Sequence, residues 1–202
     1  MGRIWRVTFK GRPLVKKQNF RRMKNASLFG VLKTDNQYDK RQARRVLHER
    51  GKEVLKDLPK WSAKEKWGQA ELEALWLYEA LDVENIKLLE DVLSNADDSR
   101  IRAAAVRVLS HWGERIPDDR RMKMLNALVG DEHPRVRLEA IRVLGQIKSG
   151  TSANIALKAL DKPMDRFLDY GLWLTMNDLA EPFVRGMQNG ALNFKDKTSH
   201  AE

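Results

Sequence analysis

Four arginines recur at a fixed interval. Arg102 and Arg107 are followed 35 residues later by Arg137 and Arg142. A guanidinium is a permanent cation whose planar fork of donors matches carboxylate and phosphate oxygens. Repeated on successive helices, such groups can do one of two things. They can form a basic ladder that receives an acidic partner or a phosphate, or they can bridge acidic residues of neighbouring structural units. The chain from residue 51 onward holds 23 Lys/Arg against 25 Asp/Glu, a near balance that favours the bridge. Arg102, Arg107, Arg137 and Arg142 are nevertheless the candidate partner-binding residues.

Other groups that could do chemistry have simpler explanations. The histidines, His48, His111, His133 and His200, show no ligand-type spacing. His133 stands before Pro134 and reads as a helix-entry residue. Asp97, Asp98, Asp131 and Glu132 could pair as acids or hold a cation, but each precedes an expected helix, where capping and the helix dipole account for it. Trp61 and Trp67 flank a lysine-rich stretch, and aromatics interleaved with lysines could stack on bases, although tryptophan at a junction between repeats is the commoner explanation. Trp76, Trp112 and Trp173 occupy apolar helical positions and are expected in the core. No glycine-rich phosphate loop, Ser-His-Asp order or dinucleotide fingerprint is present. With no cysteine, disulfides, thiolate metal sites, a cysteine nucleophile and covalent haem attachment are excluded. No catalytic, cofactor-binding or metal-ligating residue is therefore assigned.

The elements that would position the arginines can be read from periodicity. Ile101, Ala105, Val108, Leu109 and Trp112 lie on one helical face. Val136, Ala140, Val143, Leu144 and Ile147 repeat that face 35 residues on. Asp98 suits an N-cap and Pro134 a first helical position. Shorter helices, Ile86–Leu93 and Arg121–Val129, precede the two, with Gly130 expected as a left-handed C-cap. Two helices per repeat at this period indicate a stacked array. Ala43–Leu47 echoes Ala105–Leu109 at an offset of 62, so 26–50 reads as a divergent first repeat ending at Gly51. Lys52–Lys66, with Pro59, reads as a looser connection. Gln69–Leu81 is apolar nearly all round and should be buried on both sides. Ser152–Leu160 and Asp165–Leu179 supply a last pair, and Pro182 breaks or restarts the helix there. The expected fold is all-α, a short right-handed solenoid of about four helical hairpins.

Charge and composition divide the chain. Net charge is +10, yet residues 1–50 hold 15 Lys/Arg and 3 Asp/Glu. Residues 1–13 contain the one strand signal, with Trp5, Val7 and Phe9 alternating with Arg6, Thr8 and Lys10. Residues 14–25 read as a basic linker, 26–188 as the repeats and 189–202 as a flexible tail. The basic first 50 residues make nucleic-acid binding the alternative function. No apolar run reaches membrane-spanning length, and no signal-peptide pattern opens the chain.

The pattern Asp-x-x-Pro-x-Val-Arg-x-x-Ala-x-x-x-Leu from Asp131 resembles short bacterial HEAT-like repeats. Several segments together, Gly2–Val7, Gln42–Gly51, Glu73–Trp76, Asp131–Leu144 and Leu160–Trp173, resemble the planctomycete-type membrane-bound dehydrogenase or haem-binding proteins with HEAT repeats. That family joins a quinoprotein-like propeller, HEAT-like repeats and a c-type cytochrome segment. The resemblance implies that residues 1–13 are the terminal strand of such a propeller and that this chain is the middle of such a protein. It also implies a non-catalytic scaffold or spacer. PQQ and haem c would belong to segments outside this chain, because no propeller body and no Cys-x-x-Cys-His occur here. A cell-envelope location and a flanking-domain or protein partner are implied by the same resemblance.

Overall fold

Local sequence starts and stops most of the helices near where the pattern expects, although the helix expected at Arg121–Val129 begins at Asp118 and that expected at Ser152–Leu160 runs from Gly150 to Leu157. In the computed structural model, which describes residues 2–13, 16–64, 68–190 and 192, eleven α-helices form among the described residues. They are α1 Asn25–Val31, α2 Gln37–Arg50, α3 Leu58–Ser62, α4 Gln69–Ala80, α5 Ile86–Asn95, α6 Ser99–Trp112, α7 Asp118–Leu128, α8 Pro134–Gln146, α9 Gly150–Leu157, α10 Arg166–Asp178 and α11 Ala180–Gln188. The side chains of Asn36, Asn85, Asp98, His133, Ser149 and Asp165 each accept a backbone N–H in the first turn of the adjoining helix. Gly51 ends α2 at φ 70°, a conformation that favours glycine. Gly130, by contrast, is not left-handed. α7 instead tightens at its end, with Gly130 and Asp131 donating to the carbonyls three residues back.

Consecutive helices pair as hairpins, and the even-numbered members stack in the order α2, α4, α6, α8, α10. On the other side α7 meets α9 and α9 meets α11. The array is an all-α solenoid. Its core is one continuous cluster running from Phe20 to Leu172. α4 is buried on nearly every side, as its composition requires.

Three segments differ from the sequence reading. Lys52–Lys66 is not a loose connection over its described part: a 3-10 turn at Gly51–Lys56 and the short α3, with Pro59 in its first turn, bury Val54 and Leu58 completely. α3 and α4 thus add a fifth hairpin. The packed body also begins earlier than residue 26, because Phe20 is buried against it. Gly2–Phe9 form no strand, since strands need hydrogen-bonded neighbours and none lies beside them among the described residues. Ile4, Trp5, Val7 and Phe9 are fully or largely exposed. After α11, Gly190 turns the chain at φ 73° and Leu192 folds back onto Gly186 and Gly150. The remainder of the 189–202 tail, with His200, and Trp67 lie outside the described residues. No helix of the described residues is long and apolar enough to cross a membrane.

Trp112 has no exposed surface, whereas Trp5 is largely solvated. Trp112→Ala is expected to cost about 3–5 kcal/mol and Trp5→Ala less than about 0.5 kcal/mol. Urea unfolding of the two variants checks the difference.

Candidate partner-binding face

The loop between the two helices of a hairpin leaves carbonyls without helical partners. The array fills them with arginine. Arg102, in the first turns of α6, folds back so that Nη1 donates to Ala96 O at 2.7 Å and Asp97 O at 2.9 Å. Arg137 does the same on α8, with Nη1 donating to Asp131 O at 2.8 Å and Glu132 O at 3.1 Å. Each side chain then reaches forward to the next repeat. Arg102 makes a two-pronged contact to the Asp131 carboxylate, 2.8 and 2.9 Å, and Arg137 donates to Pro163 O. Arg102 is mostly buried and Arg137 is only 1% exposed. These two arginines therefore belong to the junctions, and the candidate basic ladder loses both of them as groups that a partner can touch.

Arg107 and Arg142 differ. Both lie on the face built by the even-numbered helices, and both bind one buried carboxylate. Arg107 Nε donates to Glu139 Oε1 at 2.8 Å and Arg142 Nη1 to Glu139 Oε2 at 3.2 Å. Their side chains remain 56% and 64% exposed, while that of Glu139 is 7% exposed. Two cations share one anion, so one positive charge and several N–H donors remain turned to solvent. The same device occurs earlier in the stack. Glu73 of α4, whose side chain is fully buried, accepts a two-pronged Arg44 contact at 2.8 and 2.5 Å, and Arg44 also lies over the Trp76 ring at 5.1 Å. The sequence reading does not single out Glu73 or Glu139. An acidic residue amid apolar neighbours on a helix is their only sequence signal.

Beside Arg142, α8 and α10 enclose a groove of about 640 Å³ whose lining includes the apolar Leu138, Phe167, Tyr170 and Leu174, the basic Arg142 and Lys148, and the acidic Asp178. Gly171 allows the close approach, because a Cβ there would collide with the Leu138 side chain. Phe167, Tyr170, Trp173 and Leu174 are exposed along α10. Trp173 is thus not a core residue: it is 60% exposed on the last even-numbered helix, where no further helix covers it among the described residues. Trp112 is core as expected, and Trp76 is half-buried under Arg44.

The acidic residues before the helices act in capping and in junctions. Asp98 accepts the Arg100 N–H, and the Arg100 side chain and backbone hold its pKa down to about 2. At Asp131 burial opposes ionisation, but the Arg102 guanidinium and the His133 N–H outweigh it and lower the pKa. His133 caps α8 through Nδ1, and His111 lies 3.9 Å from Glu79.

Against known families, residues 86–169 match the HEAT repeat model. This stretch is a HEAT-like repeat region. It spans α5 to the start of α10 and contains all four candidate arginines. No curated protein matches the chain. HEAT arrays generally serve protein–protein interaction, through the extended surface that stacked repeats present.

Removing a buried charge's partners differs from trimming a solvated one. Arg137→Met should cost about 3–5 kcal/mol by orphaning three carbonyls, and Arg142→Met less than about 1 kcal/mol. Chemical unfolding reads both. The depressed carboxylates predict an acid response. Their contribution is full above the ordinary carboxylate pKa of about 4 and is lost as pH falls through the folded values, with Asp98 near 2. Urea midpoints should drop between about pH 4 and pH 2, less steeply in Asp131→Asn, which should already be weaker at pH 7.

Proposed function

We propose that this chain is a non-catalytic scaffold that holds an acidic protein segment against its even-numbered helices. The observation that carries the reading is the shared Glu139 anchor, which fixes Arg107 and Arg142 side by side next to an apolar groove. Anchored arginines lose little freedom when a partner carboxylate arrives. Apolar and aromatic walls beside them match the composition of interface hot spots. The groove would take an aliphatic side chain while the arginines take an adjacent carboxylate.

The resemblance of Gly2–Val7, Gln42–Gly51 and Leu160–Trp173 to membrane-bound dehydrogenase-like proteins suggests a role for the scaffold. On that reading, it spaces a quinoprotein-like propeller from a c-type cytochrome and docks one of them. A second reading, nucleic-acid binding, is favoured by one observation: Arg3, Arg6, Lys10 and Arg12 sit on exposed chain.

Charge reversal tests the face. Cross-linking in the source cells should recover a propeller- or haem-bearing protein with the unaltered chain. Recovery should fall at least tenfold with Arg107→Glu/Arg142→Glu and stay unchanged with Lys60→Glu. Equal recovery by all three would refute the face. For the second reading, duplex DNA affinity is measured against salt. Nucleic-acid binding requires a steep log–log loss with increasing salt that disappears when residues 2–13 are removed; the scaffold reading expects no retention at about 150 mM salt.

A further inference from the structure

Helices α6, α8 and α10 can be superposed by their N-caps, Asp98, His133 and Asp165. In that register Ala103, Val106 and Ser110 correspond to Leu138, Ile141 and Gly145, and these to Tyr170, Trp173 and Asn177. On α6 the first two positions are buried, and Ser110 donates to Gln146 of α8. On α8, Ile141 is fully buried and its carbonyl accepts from Thr175 of α10, while Gly145 lies against Thr175. These positions carry the next helix of the stack. On α10 the same positions face solvent, with Tyr170 and Trp173 each 60% exposed and stacked at 5.9 Å. Terminal repeats of stable arrays carry a polar outer face. Among the described residues no helix covers this face, which presents two aromatic rings.

We propose that a second copy of this chain covers this end face, with α10 packed antiparallel on α10 about a two-fold axis. The order Arg166, Tyr170, Trp173, Asn177 has spacings of four, three and four, and so reads the same from either end. A two-fold axis through its centre sets Tyr170 against Trp173 of the second copy and Arg166 against Asn177 of the second copy, twice each. The polar ends are complementary. Asn177 Nδ2 is engaged with Trp173 O at 2.8 Å, which leaves its side-chain oxygen to accept from an arginine. Arg166 is exposed and rests over the Phe167 ring at 4.6 Å. Aromatic side chains at this exposure offer roughly 100–150 Å² each. Phe167, Tyr170 and Trp173 of two copies thus hide on the order of 600–900 Å². Arg166, Leu174 and Asn177 carry the total toward the roughly 1,200 Å² of the smaller specific interfaces. Phe167, Tyr170 and Leu174 also line the α8–α10 groove, whereas Arg166, Trp173 and Asn177 lie outside it.

Sedimentation of the full chain between about 1 and 100 μM tests this. A mass approaching twice 23.4 kDa is expected. Tyr170→Glu/Trp173→Glu should weaken self-association at least about 100-fold while helicity and monomer folding persist. Arg166→Glu should weaken it about tenfold, and Arg166→Glu/Asn177→Arg should restore it. A monomer throughout the range, or a dimer indifferent to the aromatic substitutions, overturns the proposal, and the end face then belongs to a helix of another protein or to none. A dimer that the exchanged pair does not restore overturns the antiparallel arrangement. Because the probe is this chain alone and Arg107 and Arg142 are untouched, failure here leaves the scaffold reading standing.

Discussion

A hairpin of helices can bury its apolar faces only if the connecting loop also finds partners for its carbonyls, since an orphaned buried carbonyl costs about 1–3 kcal/mol. In this array the loop is served by a side chain from the helix after it. Arg102 closes Ala96 and Asp97, and Arg137 closes Asp131 and Glu132, at the same two offsets. Arg102 then turns Nε and Nη2 to the Asp131 carboxylate, and Arg137 turns Nη2 to Pro163 O. Asp131 links the two, with its carboxylate taken by Arg102 and its carbonyl by Arg137. The result is a relay along the loops from Ala96 to Pro163. It sets how one repeat sits on the next and leaves the apolar helix faces to pack within that frame.

The relay also decides which groups remain for partners. A cation buried among carbonyls cannot be lent to another molecule without breaking the junction. The surface chemistry of the twin repeats therefore passes to Arg107 and Arg142, one helical turn or more further along, where a single buried carboxylate neutralises half of the charge. Arg107 is held from below through two N–H groups and Arg142 through one, so both guanidiniums are tethered to Glu139. Arg44 on Glu73 anchors a guanidinium in the same way two hairpins earlier, with a tryptophan face added. Two such anchors on one side of the stack make that side the chemically richer one.

The helices and their boundaries are legible in the sequence because the apolar period and the capping residues agree with each other. Asn36, Asp98, Pro134 and Asp165 mark starts that the packing keeps. The repeat interval also exposes the arginines, and bridging is one of the two roles it allows. It cannot separate Arg102 and Arg137 from Arg107 and Arg142, because all four share a residue type and a period, and burial depends on which neighbour lies across the junction. Lys52–Lys66 reads as loose because Pro59 and scattered lysines hide Val54 and Leu58, whose burial comes from helices distant in sequence. Glu73 and Glu139 look like violations of an apolar pattern until their arginine partners, 29 and 32 residues away, are in place.

Position in the stack separates Trp112 from Trp173. Trp112 closes α6 and Trp173 lies midway along α10, both amid aliphatic neighbours, and a reading of either helix alone puts both in the core. Trp112 has α8 and the turn after α6 beside it, whereas Trp173 sits on the face that α6 and α8 each use to receive their successor. In a quasi-one-dimensional fold, a helix shows one face to its predecessor and another to its successor, and its sequence is written for both. Among the described residues no successor helix lies against Tyr170 and Trp173, and the same physics that buries Val106 and Ile141 favours covering them.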